Sequence, residues 1–158
     1  MPAKLKPATV RPDPQPRPGE SFEDWFARQG FRHFNAAEFT TYFNLRRRGV
    51  RNSAPHRSLW PNIVPTLRIV DELRAHLGKP IVILSSYRSP AYNAAINGAA
   101  SKSYHMQFMA LDIAVSGYRP AEVFHLLQSW RAVGKFKGGL GLYDTFTHID
   151  TRGTNATW

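Results

Sequence analysis

The feature that most limits how this chain can fold is one charge in an apolar run, Asp112 within Met109-Ala110-Leu111-Asp112-Ile113-Ala114-Val115. Seven residues of this composition predict a short buried strand. A carboxylate taken into such surroundings costs several kcal/mol, on the order of a large fraction of a domain's stability, unless it is paired or bound to a metal. The fold must therefore bring donors, cations or a metal ion to that strand. The side chains suited to this are His105, seven positions earlier, and the pair His148 and Asp150 in Thr147-His148-Ile149-Asp150.

Side chains alternate along a strand, so His148, Asp150 and Phe146 share one face, with His148 and Asp150 spaced roughly 7 Å along it. His105, Asp112 and His148 together offer two imidazoles and a carboxylate, a three-ligand set that leaves a fourth zinc position open to water. The spacing His-x6-Asp has a blander meaning too, a core histidine and a capping aspartate. The apolar strand around Asp112 favours ligation. Because the chain has no cysteine, disulfides and thiolate sites are excluded, and any metal must rest on His, Asp or Glu.

At 158 residues there is room for one domain with a proper core and an appended arm. The arm is residues 1–20, which hold six of the twelve prolines and too little apolar surface to fold. It is expected to be an extended basic segment, either a plain tail or a docking arm for an assembly partner. A net charge of +10 points to a polyanionic partner such as nucleic acid, anionic lipid or the bacterial envelope. Neither an apolar signal core nor a run of about 18 apolar residues is present, so the expectation is a soluble chain made in the cytoplasm without a Sec signal and without membrane insertion.

Eight aromatic residues fall between Phe22 and Phe43, predicting a core-covering section rather than a base-stacking platform. Asn35-Ala36-Ala37-Glu38 has the form of a capping box. Arg46, Arg47, Arg48, Arg51 and Arg57 make either a solvated basic loop or an anion-binding patch. Apolar spacing predicts a helix over 60–77 with Pro61 and Pro65 in its first turns and Gly78 as its stop. Ile81-Val82-Ile83-Leu84 predicts a buried strand, and Ser89-Pro90 the start of a helix through Ile96. Further strands are expected at 109–115, 140–143 and 146–151, with a helix over 119–130. Gly138-Gly139-Leu140-Gly141 predicts a turn into a strand, not a phosphate loop. The sum is an α+β fold, a single domain over 21–158 with a mainly antiparallel sheet and flanking helices.

Ser85-Ser86-Tyr87-Arg88-Ser89-Pro90, Ser103-x-His105 leading to Ala110-x-Asp112, Gly139-Leu140-Gly141-Leu142-Tyr143 and Thr147-His148-Ile149-Asp150-Thr151-Arg152 stand in an order that resembles the zinc D-alanyl-D-alanine carboxypeptidase-like murein peptidases. These share a structural group with lysostaphin-type enzymes and hedgehog domains. The resemblance covers roughly 31–153. It implies that His105, Asp112 and His148 bind Zn²⁺ and that Arg88 contacts the substrate or the oxyanion. Ser103 is expected to support the His and, with Tyr87 and Tyr143, to contact the substrate, and Tyr87, Tyr143 and Gln107 are expected to line the cleft.

A nearby carboxylate would take the proton from water and pass it to the leaving amine, and Asp150 is the expected general base, with Asp144 competing. Relatives carry an acid or a His at positions where this chain has Thr145 and Phe146. Phe108 stands where the family pattern has glycine, and a ring there is expected to fill or reshape the cleft. The implied activity is hydrolysis of an amide in peptidoglycan stems or cross-links, at the cell wall or periplasm after release or from a virion, as in a phage-type lysin. Two rivals remain open on the residues alone. One is a non-catalytic zinc-stabilised binding or structural module; the other is a nucleic-acid binder, supported only by charge and lacking any standard motif for specific binding.

Overall fold

The computed structural model describes residues 10–158. In chain order the helices are α1 (Phe22–Gln29), α2 (Ala37–Thr40), α3 (Trp60–Leu77), α4 (Pro90–Ala94) and α5 (Pro120–Ala132). The strands are β1 (Arg46–Arg47), β2 (Val50–Arg51), β3 (Ile81–Ser85), β4 (Ala110–Val115), β5 (Gly139–Leu142), β6 (Thr147–Asp150) and β7 (Ala156–Thr157). β1 and β2 form a separate hairpin; the other five make one sheet in the order β3-β4-β6-β5-β7. All its pairings are antiparallel except β5 with β7, in line with the expected α+β architecture.

The sheet has two unlike faces. Ile81, Ile83, Leu111, Ile113, Val115, Leu140 and Ile149 point to one side and are packed with α3 and α5 into the core. On the other side the register sets Asp112 directly opposite His148, and His148 opposite Gly141. Period-two alternation thus sorts one strand into a core row and a site row. β3 is only half buried: Val82 is 54% exposed, because an edge strand has nothing covering its second face. The expectation of a fully buried strand there is corrected accordingly.

α3 supplies the long lever of the core, and it runs over the predicted span. Gly78 ends it in the left-handed region at φ 61°, which glycine adopts without the Cβ clash other residues meet. Two of its polar side chains locate the site: Asn62 Nδ2 donates to Gln107 O at 2.9 Å and Thr66 Oγ1 to Met109 O at 2.7 Å. Its buried Asp71 accepts from the backbone N–H groups of Arg32 and His33. The capping box is present, with Asn35 N donating to Glu38 Oε2 and Glu38 N to Asn35 Oδ1.

The aromatic section does cover the core. Trp25, Phe39 and Phe108 are fully enclosed, and Phe22 packs within 6.2 Å of Trp25, Phe26, Phe43, Trp60 and Phe108 ring centres. Of the expected arm, residues 1–9 lie outside the described residues. Residues 10–20 form no helix or strand, but they are tied down. Trp25 Nε1 donates to Pro14 O, and the Arg28 guanidinium binds Asp13 O, Gln15 O and both Glu20 carboxylate oxygens.

Candidate metal centre

Three elements meet at the site. The 3-10 helix Tyr104–Gln107 carries His105, β4 carries Asp112 and β6 carries His148. Ser103 starts that short helix, its Oγ accepting from His105 N at 3.2 Å, and Phe108 ends it. Asp112 Oδ1 lies 3.2 Å from His105 Nε2 and 2.9 Å from His148 Nδ1. Each residue offers one ligand atom within 4.8 Å of the others, all three side chains are buried, and this is the one such group among the described residues. His33, His56, His76 and His125 take no part.

What fixes the two imidazoles is behind them. His105 Nδ1 lies 2.7 Å from Ser86 O and His148 Nε2 lies 2.9 Å from Asp150 Oδ2. A carbonyl and a carboxylate can only accept, so these nitrogens carry the protons. The opposite nitrogens, His105 Nε2 and His148 Nδ1, face Asp112 Oδ1, and they are the atoms that would give up their protons to bind a metal. Two imidazoles and one carboxylate, each oriented from its far side, are the donor set of a three-ligand zinc site with its supporting hydrogen bonds. The residues fit the metal.

Electrostatics agree with a charged Asp112. Burial pushes its carboxyl up, but His105 and His148 outweigh that and hold it well below the usual carboxylate range. Burial lowers His105 despite Asp112 beside it. His148 is also pushed down by burial, yet its bonds to Asp112 and Asp150 leave it raised. Arg88 completes the neutralisation, donating from Nη2 to Asp112 Oδ2 at 2.9 Å and from Nε to Ser85 Oγ at 3.0 Å. Its loop is held by buried Asn52, which donates to Tyr87 O and accepts from Ser89 N.

The cluster forms the floor of a cleft of about 510 Å³. Arg88, Ser103 and Tyr143 line it, and so do Lys102, Tyr104, Phe146, Arg152 and Trp158, none of which was expected as a cleft residue. Tyr87 does not. It is buried in the core, edge-on to Phe108, so its expected substrate contact is corrected; Gln107 is likewise outside the cleft. Phe108 is corrected in the same way. It occupies the left-handed region at φ 53°, the backbone reason for a glycine in the family pattern, and this turn aims the ring into the aromatic core, away from the cleft.

Asp150 also departs from expectation. It is fully buried and its oxygens accept from Gly139 N, Arg152 N, Nε and Nη2, and His148 Nε2. Five bonds exhaust its lone pairs, and they hold it below the ordinary carboxylate range against its own burial. A carboxylate so engaged, with no surface in the cleft, is badly placed to take a proton from water there. Asp144 is exposed in the turn before β6 and does not line the cleft.

The signal for Trp158 and Arg152 lay in the glycines. A Cβ on Gly139 would fall 2.5 Å from Asp150 Oδ2 and 2.7 Å from Arg152 Nη2, and one on Gly141 2.6 Å from Trp158 Nε1. Gly139-Leu140-Gly141 is therefore a strand stripped of side chains on its site face. Among the described residues no helix is long and apolar enough to cross a membrane.

No curated protein and no solved structure matches the chain. The family model described as Peptidase M15 matches residues 32–150. That span is well over half of the chain and takes in His105, Asp112, His148 and the residues that orient them, so the protein belongs to the Peptidase M15 family, the zinc D-alanyl-D-alanine carboxypeptidase-like metallopeptidases.

Proposed function

We propose that the protein is a zinc-dependent peptidase that hydrolyses an amide bond in the peptide stems or cross-links of bacterial peptidoglycan. The observation that carries this reading is the convergence of His105 Nε2, His148 Nδ1 and Asp112 Oδ1 on the floor of an open cleft. When bound, zinc supplies Lewis acidity, polarising a substrate carbonyl and acidifying water at neutral pH. Everything else is the work of the chain. Asp150 and Ser86 hold the imidazoles in the ligating tautomer, and Arg88 holds Asp112 while presenting a cation to the cleft. A guanidinium there stabilises negative charge growing on the carbonyl oxygen or clamps a substrate carboxylate. Asp150 is thus a positioning residue rather than the base.

The net charge of +10 supports an anionic envelope surface as the setting, reached after release or carried on a virion as in a phage-type lysin. Specific nucleic-acid binding is no part of this reading. A second reading, a non-catalytic zinc-stabilised module, is favoured by one observation: Asp112, itself a ligand, is the one carboxylate lining the cleft.

Mass spectrometry of muropeptides after incubation of purified wall with zinc-loaded protein separates the two. The expected outcome is release of stem fragments that a chelator abolishes and zinc restores. Zinc binding of normal strength with no change in the muropeptides would establish the second reading instead.

A further inference from the structure

Residues 151–158 lie beyond the family match, yet two of them, Arg152 and Trp158, line the cleft. β7 runs parallel to β5, and the backbone of Trp158 extends the pairing, its N–H donating to Leu140 O at 3.2 Å and its carbonyl accepting from Leu142 N at 2.8 Å. This continuation lays the indole on the site face of the sheet. Its ring centre is 5.0 Å from that of His148, and Nε1 donates to Tyr143 Oη at 2.8 Å. Gly141 and Gly139 provide the space, since a Cβ on either would come within 2.6 to 3.0 Å of the indole.

The surroundings decide what this ring offers. Tyr143 and Phe146 stack at 4.3 Å beside it, and the Arg152 guanidinium lies 4.2 Å from the Tyr104 ring and 5.2 Å from the Trp158 ring. Trp158 remains 46% exposed. A core role does not leave an indole half open beside a metal ligand, and with its N–H already satisfied the surface it presents is an apolar aromatic face.

We infer that Trp158 is a specificity-determining residue whose indole packs against an apolar side chain of the peptide flanking the scissile bond. Arg88 and Lys102 in the same cleft meet the carboxylates of that peptide. The assignment rests on the peptidase reading of the cleft.

Trp158→Ala removes the ring and keeps both backbone bonds, while Trp158→Phe keeps an aromatic face. With a synthetic stem pentapeptide as substrate, Trp158→Ala is expected to raise KM about tenfold with kcat little changed, and Trp158→Phe to recover most of the loss. Zinc affinity, read by chelator competition, should stay at the wild-type value in both. An unchanged KM overturns the inference, and so does a fall in zinc affinity that parallels the loss of activity, which would make Trp158 a support for His148. If the zinc-loaded wild type cleaves nothing, calorimetric titration with the same pentapeptide takes over. Binding weakened about tenfold by Trp158→Ala sustains the contact while the peptidase reading falls. Equal binding, or none to the wild type, overturns it.

Discussion

The stretch from Ser103 to Asp112 faces two environments, and each holds it differently. His105 and Asp112 turn to a polar cluster in which hydrogen bonds fix the imidazoles and Arg88 pairs the carboxylate. Phe108 and Leu111 turn to a core of aromatic and aliphatic rows with no polar contacts to satisfy. Directional bonds to charges fail abruptly, because removing one partner strands another in a dry place. Apolar burial fails by degrees, roughly with the volume lost. The ligand geometry should therefore be sensitive to single atoms on one side and tolerant of large changes on the other.

Asp112→Ala tests this most severely. It removes a proposed ligand and leaves Arg88, mostly buried, without its carboxylate. A loss of about 3–5 kcal/mol in stability is expected in denaturant titrations, together with loss of tight zinc binding. On the core side, Phe108→Ala should cost a similar 3–5 kcal/mol or so, with zinc affinity near the wild-type value. Phe108→Gly should be less damaging than Phe108→Ala by about 1 kcal/mol, since glycine relieves the left-handed backbone at this position. If Phe108→Gly weakened zinc binding as much as it weakened the fold, the separation of the two sides would collapse.

The same contrast explains what was legible in the sequence. Helix α3, its stop at Gly78, the capping box and the start at Ser89-Pro90 are local, written in neighbouring residues, and the structure has them. The clustering of His105, Asp112 and His148 was legible because a charge in an apolar strand demands partners wherever they come from. The direction in which Phe108 and Tyr87 point was not, because a single left-handed residue and the docking of a separate aromatic segment decide it. Asp150 sits on the expected face of β6, but that its lone pairs would be exhausted depends on Arg152 and on the bare strand at Gly139. Trp158 reaches the cleft through a parallel pairing that no periodicity announces.

Asp150→Asn is the next step down. An amide keeps the shape but cannot accept from both His148 and Arg152 as a carboxylate does, so the His148 ring loses its fixed orientation. Zinc affinity is expected to fall about 10- to 100-fold, measured by competition with a chromogenic chelator. Muropeptide release by the fully zinc-saturated variant should be retained in good part. Its complete loss under saturation would return Asp150 to the role of proton acceptor.

Acidification acts on the same ring. In the metal-free site, bonds to Asp112 and Asp150 raise His148 against the effect of burial. Proton and metal compete for Nδ1, and a proton held more tightly than in a free imidazole displaces the metal at higher pH. Zinc should therefore be released at a higher pH than it would be if His148 bound its proton as a free imidazole does. The metal-free protein should respond with the opposite sign: a raised pKa in the folded state contributes stability that is present at lower pH and lost as pH rises through it. Stability of the zinc-free protein that failed to fall as the pH rose past the ordinary histidine range would show that the carboxylates are turned away from His148.

The smallest effect marks where the two environments join. Ser103 Oγ accepts from His105 N at the start of the short helix, so Ser103→Ala removes one capping bond and no ligand. Caps of this kind contribute about 1 kcal/mol. The segment is also held by Asn62 and Thr66 of α3 and by Phe108 in the core, and those anchors are untouched. Stability should drop by about that amount in thermal unfolding, and zinc affinity should change by less than with Asp150→Asn. Should Ser103→Ala cost more zinc affinity than Asp150→Asn, the position of His105 would depend on its cap rather than on the core beneath it, and the aromatic side of the segment would no longer be what holds the ligands in place.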